Sequence, residues 1–177
     1  MTRPIRPAVS VAALATTGAI VLGASGAPAQ TGTTAAQKIT GKGVGQLEVG
    51  MLFSDARAMG LVRRARPGCP LEDNSRSAKL SSPLKGSVNL TTTTPRRIRS
   101  ISVRGGATAR GVGVGDPLSA IKAAYPSAKV DKKQAAVFGF WFVRVPKSGG
   151  GRIEFTAKTS APHAVVQIDV PRVAFCE

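Results

Sequence analysis

The chain has 177 residues, of which 25 are Lys or Arg and 9 are Asp or Glu, giving a net charge of +16, with one histidine and two cysteines. So few histidines, thiols and acids leave little from which to build a tetrahedral metal site or an acid–base pair. The length suits a single domain that buries about two-thirds of its unfolded surface.

Residues 1–29 read as a secretory signal. Arg3 and Arg6 supply the positive start, Ala8 to Leu22 the apolar run, and Ala27-Pro28-Ala29 the small-x-small cleavage pattern. Ser10, Thr16 and Thr17 make that run too polar for an uncleaved spanning helix, which needs about 20 apolar residues. No cysteine follows it, so no lipid anchor is expected, and no later segment is long and apolar enough to span a membrane. The expected product, secreted or envelope-associated after cleavage near Ala29, keeps 23 basic residues against 9 acids, a net of +14. Such a field attracts polyanions or acidic protein faces. Cys69 and Cys176, an even count in an oxidising compartment, are expected to form one disulfide. It would close a long loop and stabilise the fold by about 4 to 5 kcal/mol.

Residues 30–37 (QTGTTAAQ) are small and polar and read as a flexible leader. Beyond it the chain repeats itself, as a first unit over 38–108 and a second over 109–177 of one compact domain. Leu47 to Ala58 aligns with Val112 to Ala123 at an offset of 65, pairing Gly50 with Gly115, Phe53 with Leu118 and Ser54 with Ser119. Val88 to Leu90 matches Ile153 to Phe155 at the same offset, and Ile98 to Val103 matches Val165 to Val170 at 67.

Each unit opens on a short helix. In the second, Asp116 is placed to cap it and Pro117 to take its first position; Gly60 and Tyr125-Pro126 stop the two helices. Phe53, Ala56 and Met59, like Leu118, Ile121 and Ala124, give each one apolar stripe. Strands are expected near Ser77 to Ser81, Gly86 to Thr91 and Arg97 to Arg104, then near Ala135 to Val145, Arg152 to Ala157 and Ala164 to Val170. In the last, Ala164, Val166, Ile168 and Val170 alternate with Val165, Gln167 and Asp169. The expected fold class is α+β: two tandem α-β-β-β units, with an antiparallel sheet carrying short helices on one face.

The pattern from Gly43 to Gly60, its second copy from Ala109 to Pro126, and a strand running into Cys176 resemble uncharacterised small secreted proteins of high-GC bacteria. The tandem layout is also similar to the β-lactamase inhibitory proteins and, for one unit, to the SmpA/OmlA outer-membrane assembly lipoproteins. The resemblance implies a concave sheet that can grip another protein.

Catalytic constellations are hard to assemble. A nucleophilic triad would need His163 with Asp169, yet Ser160-Ala-Pro-His163 reads as a turn and no Gly-x-Ser-x-Gly elbow occurs. Glu72-Asp73, beside Cys69-Pro70, reads as a solvated loop pair. The strings Gly41 to Gly45 and Gly111 to Gly115 precede the helices but lack the Lys-Ser or Lys-Thr of a P-loop; Gly149 to Gly151 reads as a hairpin turn. More informative is Val137 to Val145, which as a strand puts Val137, Trp141, Val143 and Val145 on one face and Phe138, Phe140, Phe142 and Arg144 on the other. An exposed aromatic row would anchor a partner. Arg96, Arg97 and Arg99 form the best basic cluster. The sequence thus points to an exported, non-catalytic binding module without cofactor or metal. It would hold a protein or an anionic envelope polymer on a sheet face, through Arg96, Arg97, Arg99, Phe138, Phe140, Trp141 and Phe142. Nucleic acid is not the expected partner. The alternatives are an inhibitor of a secreted hydrolase, or an enzyme whose site is not recognisable.

Overall fold

Local pattern and pairing together set the elements in the computed structural model, which describes residues 36–133, 135–148 and 151–174. The expected signal peptide, most of the expected leader, Gly149, Gly150 and Cys176 lie outside the described residues. Three short strands come first: β1 (Gln37–Lys38), β2 (Gly43–Val44) and β3 (Leu47–Glu48). Helix α1 (Phe53–Ala58) leads to β4 (Arg66–Pro67), β5 (Arg76–Lys79), β6 (Lys85–Leu90) and β7 (Ile98–Gly105). After β8 (Ala107–Thr108) come helix α2 (Leu118–Ala124), β9 (Lys129–Asp131), the single turn α3 (Ala135–Phe138), β10 (Phe140–Ser148), β11 (Gly151–Lys158) and β12 (Val165–Val170). Gln37, read from sequence as leader, is held in β1 by pairing with Ala107 of β8.

Eight strands form one antiparallel sheet in the order β4-β5-β6-β7-β12-β11-β10-β9. Its core face presents Ala78, Val88, Ile101, Val103, Ile168, Val170, Phe155 and Val143. Helices α1 and α2 cover this face, burying Ala56 and Ile121 with Phe53 and Leu118 packed beside them. Neither helix is long enough to hold without that packing.

Register matches over three consecutive pairs in each half. Val88 faces Ile101, Asn89 faces Ser100 and Leu90 faces Ile98, with a bulge between the last two pairs. Phe155 likewise faces Ile168, Thr156 faces Gln167 and Ala157 faces Val165, with a bulge at the same step. Between β5–β6 and β10–β11, Ala78 facing Val88 has its counterpart in Val143 facing Phe155. The middle pair, β7 with β12, exchanges into itself: Ile168 faces Val103, Val170 faces Ile101, and Asp169 faces Ser102. The entry to each helix is fixed in the same way. Gly50 N–H bonds Ile98 O (2.8 Å) and Ile98 N–H bonds Met51 O (2.9 Å), while Gly115 N–H bonds Val165 O and Val165 N–H bonds Asp116 O (both 2.8 Å). Both glycines are left-handed, at φ +89° and +102°, with open space where a Cβ would stand.

Four local expectations change. The matched segment Val88 to Leu90 sits two residues off, because Phe155 rather than Ile153 takes the place of Val88. The β10–β11 hairpin is longer, and a two-residue slip leaves a period-2 pattern unchanged, so sequence alone does not detect it. In β12 the bulge turns Val165 into the core (1% exposed), leaving Val166 half-buried, so the expected alternation breaks at its start. Asp116 does not cap α2: Pro117 is the N-cap, without a side-chain cap bond, and the Asp116 carboxylate accepts the Gly113 amide (2.7 Å). Finally, residues 135–138 of the expected aromatic strand are helical. β11 ends at Lys158, opposite Phe140, so no strand faces the residues before Phe140, which close their own bond from Gly139 N–H to Ala135 O.

Candidate functional site

The second sheet face is polar. A cross-strand row runs Lys79, Ser87, Ser102, Asp169, Glu154, Arg144 and Lys129, each residue facing the next. At its centre, Asp169 and Glu154 are 0% and 3% exposed. Asp169 Oδ1 accepts from Ser102 Oγ (2.6 Å), and Gln167 Nε2 donates to both Asp169 oxygens. Glu154 accepts from Arg144 Nε (2.9 Å) and from the Val173 amide (3.1 Å), while the other arm of Arg144 reaches Asp131 (3.2 Å). Burial raises the Asp169 pKa to about 6; the Ser102 and Gln167 hydrogen bonds and Arg104 pull it down, and the Glu154 charge adds to the rise. Both carboxylates are buried and hydrogen-bonded, and with Ser102, Gln167 and Arg144 they form one polar network across the sheet. Sequence reading missed this pair; the signal was an acid alone between core residues in each strand, Ile153-Glu154-Phe155 and Ile168-Asp169-Val170.

Beside the row lies a cleft of about 560 Å³, within the range of small-ligand sites. Phe138, Phe140, Phe142 and Val166 wall it, and Phe138 stands edge-on to Phe142, their centroids 6.0 Å apart. Arg104 and Gln167 form its polar side, joined by a hydrogen bond of 2.8 Å, and Val173 and Ala174 bring the C-terminal segment across it. Thr156 is among the lining residues, and its Oγ1 is the one buried side-chain oxygen or nitrogen among the described residues with no hydrogen-bond partner. A buried orphan hydroxyl costs on the order of 1–3 kcal/mol.

The sequence-derived site residues separate into three places. Phe138, Phe140 and Phe142 meet in this cleft. Trp141 lies on the helix-covered side instead, half-buried between the ring of His163 (stacked, 4.1 Å) and the Lys132 ammonium (4.3 Å from the ring centre). His163 is therefore divided by the sheet from Asp169, and its Nδ1 lies 3.2 Å from Lys158 O. The three arginines are far along the sheet from the aromatics, and each bonds the protein itself. Arg96 donates to Asn74 O and Thr91 O, and Arg97 to Gly50 O. Arg99 grips Glu72 with both arms, and this bond holds the Glu72 carboxyl below the usual carboxylate range.

Among the described residues no group of three His, Cys, Asp or Glu side chains is placed to hold a metal ion, and no helix is long and apolar enough to cross a membrane. Fold and site together define an α+β protein whose antiparallel sheet has one helix-covered face and one polar face bearing an aromatic cleft. Comparison with known protein families, curated proteins and solved structures finds no match.

Proposed function

We propose that the chain is exported, cleaved near Ala29, and acts outside the cytoplasm as a non-catalytic binding module that holds a protein or an anionic envelope polymer on the polar face of its sheet. The observation that carries this reading is the aromatic cleft, set on the sheet face opposite helices α1 and α2. Duplication is part of the same reading: two tandem helix-plus-sheet units, supported by the shared register, the bulge at the same step and the matching hydrogen bonds at Gly50 and Gly115. A disulfide between Cys69 and Cys176 completes it. Cys69 stands in the loop whose Glu72 reaches Arg99, and Val173 already carries the C-terminal segment onto the same face by its bond to Glu154.

The test is retention. Mature protein coupled to a resin is incubated with envelope extract of the native organism and washed at low, then high salt. A polymer held by charge is released steeply as screening sets in; a protein seated on the aromatic cleft stays. Nothing retained at low salt sinks the reading. The likeness of the layout to β-lactamase inhibitory proteins gives a second reading, inhibition of a secreted hydrolase, in which the retained species is a stoichiometric enzyme complex that survives high salt.

A further inference from the structure

Cations gather at the turn end of the central hairpin in both halves. Beside the β10–β11 hairpin, a cleft of about 490 Å³ is lined by Lys129, Arg144, Arg152 and Arg172 together with one carboxylate, Glu154, which Arg144 neutralises, and with Pro146 and Pro171 in its walls. Arg144 is occupied by Glu154 and Asp131, but Lys129, Arg152 and Arg172 are exposed and make no ion pair among the described residues. At the β5–β6 turn, a cleft of about 390 Å³ is lined by Arg63, Lys79 and Lys85, again exposed and without an ion pair among the described residues. Two lining positions of each cleft correspond through the pairing. Lys79 faces Ser87 where Arg144 faces Glu154, and Leu80 donates to Gly86 O where Val145 faces Ile153. Because β7 and β12 run antiparallel, the two hairpin turns point to opposite ends of the sheet.

We propose that these are two equivalent anion subsites, each taking a phosphate ester, and that together they hold a repeating phosphate-bearing polymer. This rests on the binding-module reading and names the class of partner. A phosphodiester repeat brings one charge and two free acceptor oxygens to one point, and a monoester such as glycerol phosphate close to two charges and three oxygens; either suits cationic groups lining one concavity, and arginine reads it with a planar fork. One such group bound at a single cleft is weak. A chain that reaches both clefts gains from its second contact as an intramolecular event, often by a factor of about 100 or more without any new interaction.

The mature protein is titrated by calorimetry and NMR with glycerol phosphate, with a poly(glycerol phosphate) chain, and with phosphatidylglycerol vesicles. Glycerol phosphate is expected at two sites per chain, each in the range of about 1 mM. Arg152→Ala with Arg172→Ala abolishes one site, Lys79→Ala with Lys85→Ala abolishes the other, and Arg57→Ala on α1 leaves both. All these side chains are exposed, so thermal midpoints should be unchanged, which separates lost binding from lost folding. The polymer is expected to bind at least tenfold more tightly than the monomer and to lose that gain when either cleft is removed. Cleft-dependent binding to vesicles instead of the polymer overturns the polymer as the source of the phosphate. No saturable glycerol phosphate binding, or an equal loss in Arg57→Ala, overturns the clefts. If envelope material is still retained by both cleft variants, the clefts fail while the binding-module reading stands; if none is retained by the wild type, that reading fails and the glycerol phosphate titration still decides the clefts.

Discussion

The two halves of the sheet share the register of three consecutive cross-strand pairs and differ in what they place on its polar face. In the first half, Ser77, Asn89 and Ser100 occupy the positions that Phe142, Thr156 and Gln167 hold in the second. Around the first trio the segment from Cys69 to Ser75 closes in, tied down by Glu72 to Arg99 and by Asn74 O to Arg96. Around the second, the aromatic side chains and the turn α3 leave a cleft. At the centre, Ser102 and Asp169 are each other's counterparts and bond one another. The same scaffold can therefore carry a tied-down loop at one end and a cleft at the other, because face and register are set by the backbone while the outward side chains are not needed for the core.

The largest expected effect concerns the proposed covalent tie between the two halves. Cys69→Ser should lower stability by about 4 kcal/mol in denaturant unfolding under oxidising conditions, with Cys176→Ser costing the same and the double variant no more. Full additivity of the two would overturn the link. Next come the equivalent core positions Val88 and Phe155. Phe155→Ala should cost about 3–5 kcal/mol and Val88→Ala about half as much, since the larger side chain leaves the larger cavity although both are fully buried. Equal losses would mean that the halves do not pack alike.

At the shared centre, Asp169 should make stability depend on pH. Its pKa is raised from 3.8 to about 6, so its contribution is fully present below about pH 4 and is lost as pH rises through 6; folding stability falls across that window. Asp169→Asn should flatten the dependence and raise stability at pH 7 by on the order of 1 kcal/mol, checked by thermal unfolding from pH 4 to 8. A variant that keeps the slope would sink this assignment. Smallest of all, Arg99→Ala removes an exposed ion pair from the closed half. Its thermal midpoint should shift less than in the cysteine, core and Asp169 variants, and the shift should vanish at high salt.

The three aromatic residues that line the cleft were legible in the sequence as a cluster, but Trp141, read with them as a partner contact, points to the other side. The alternation of Val143 and Val145 with Phe142 and Arg144 already divided the strand into two faces; what it could not say was which face the helices would cover. Nor could it extend the strand correctly, since residues 135–138 looked as strand-like as the rest until β11 ended and left them unpaired. The arginine cluster misled for a related reason. Charge is visible in a sequence, whereas the carbonyls and the carboxylate that engage Arg96, Arg97 and Arg99 come from residues 5 to 47 positions away.

Taken by itself, the sequence determined what local chemistry determines. The glycine-bounded helix entries, the apolar stripe of α2, Phe53 and Ala56 of the α1 stripe, and five of the six long strands lie within a residue or two of where their patterns put them, because turns, stripes and alternation act over a few residues. Met59, read as the end of the α1 stripe, is the C-cap and is 51% exposed. Tertiary structure decided the rest: the two-residue slip in the hairpin, the bulges, the burial of Asp169 against Glu154, and the meeting of Phe138, Phe142, Thr156 and Arg104 around one cleft. Each of these depends on which strands lie side by side and in what register, and a period of two reads the same at every even shift.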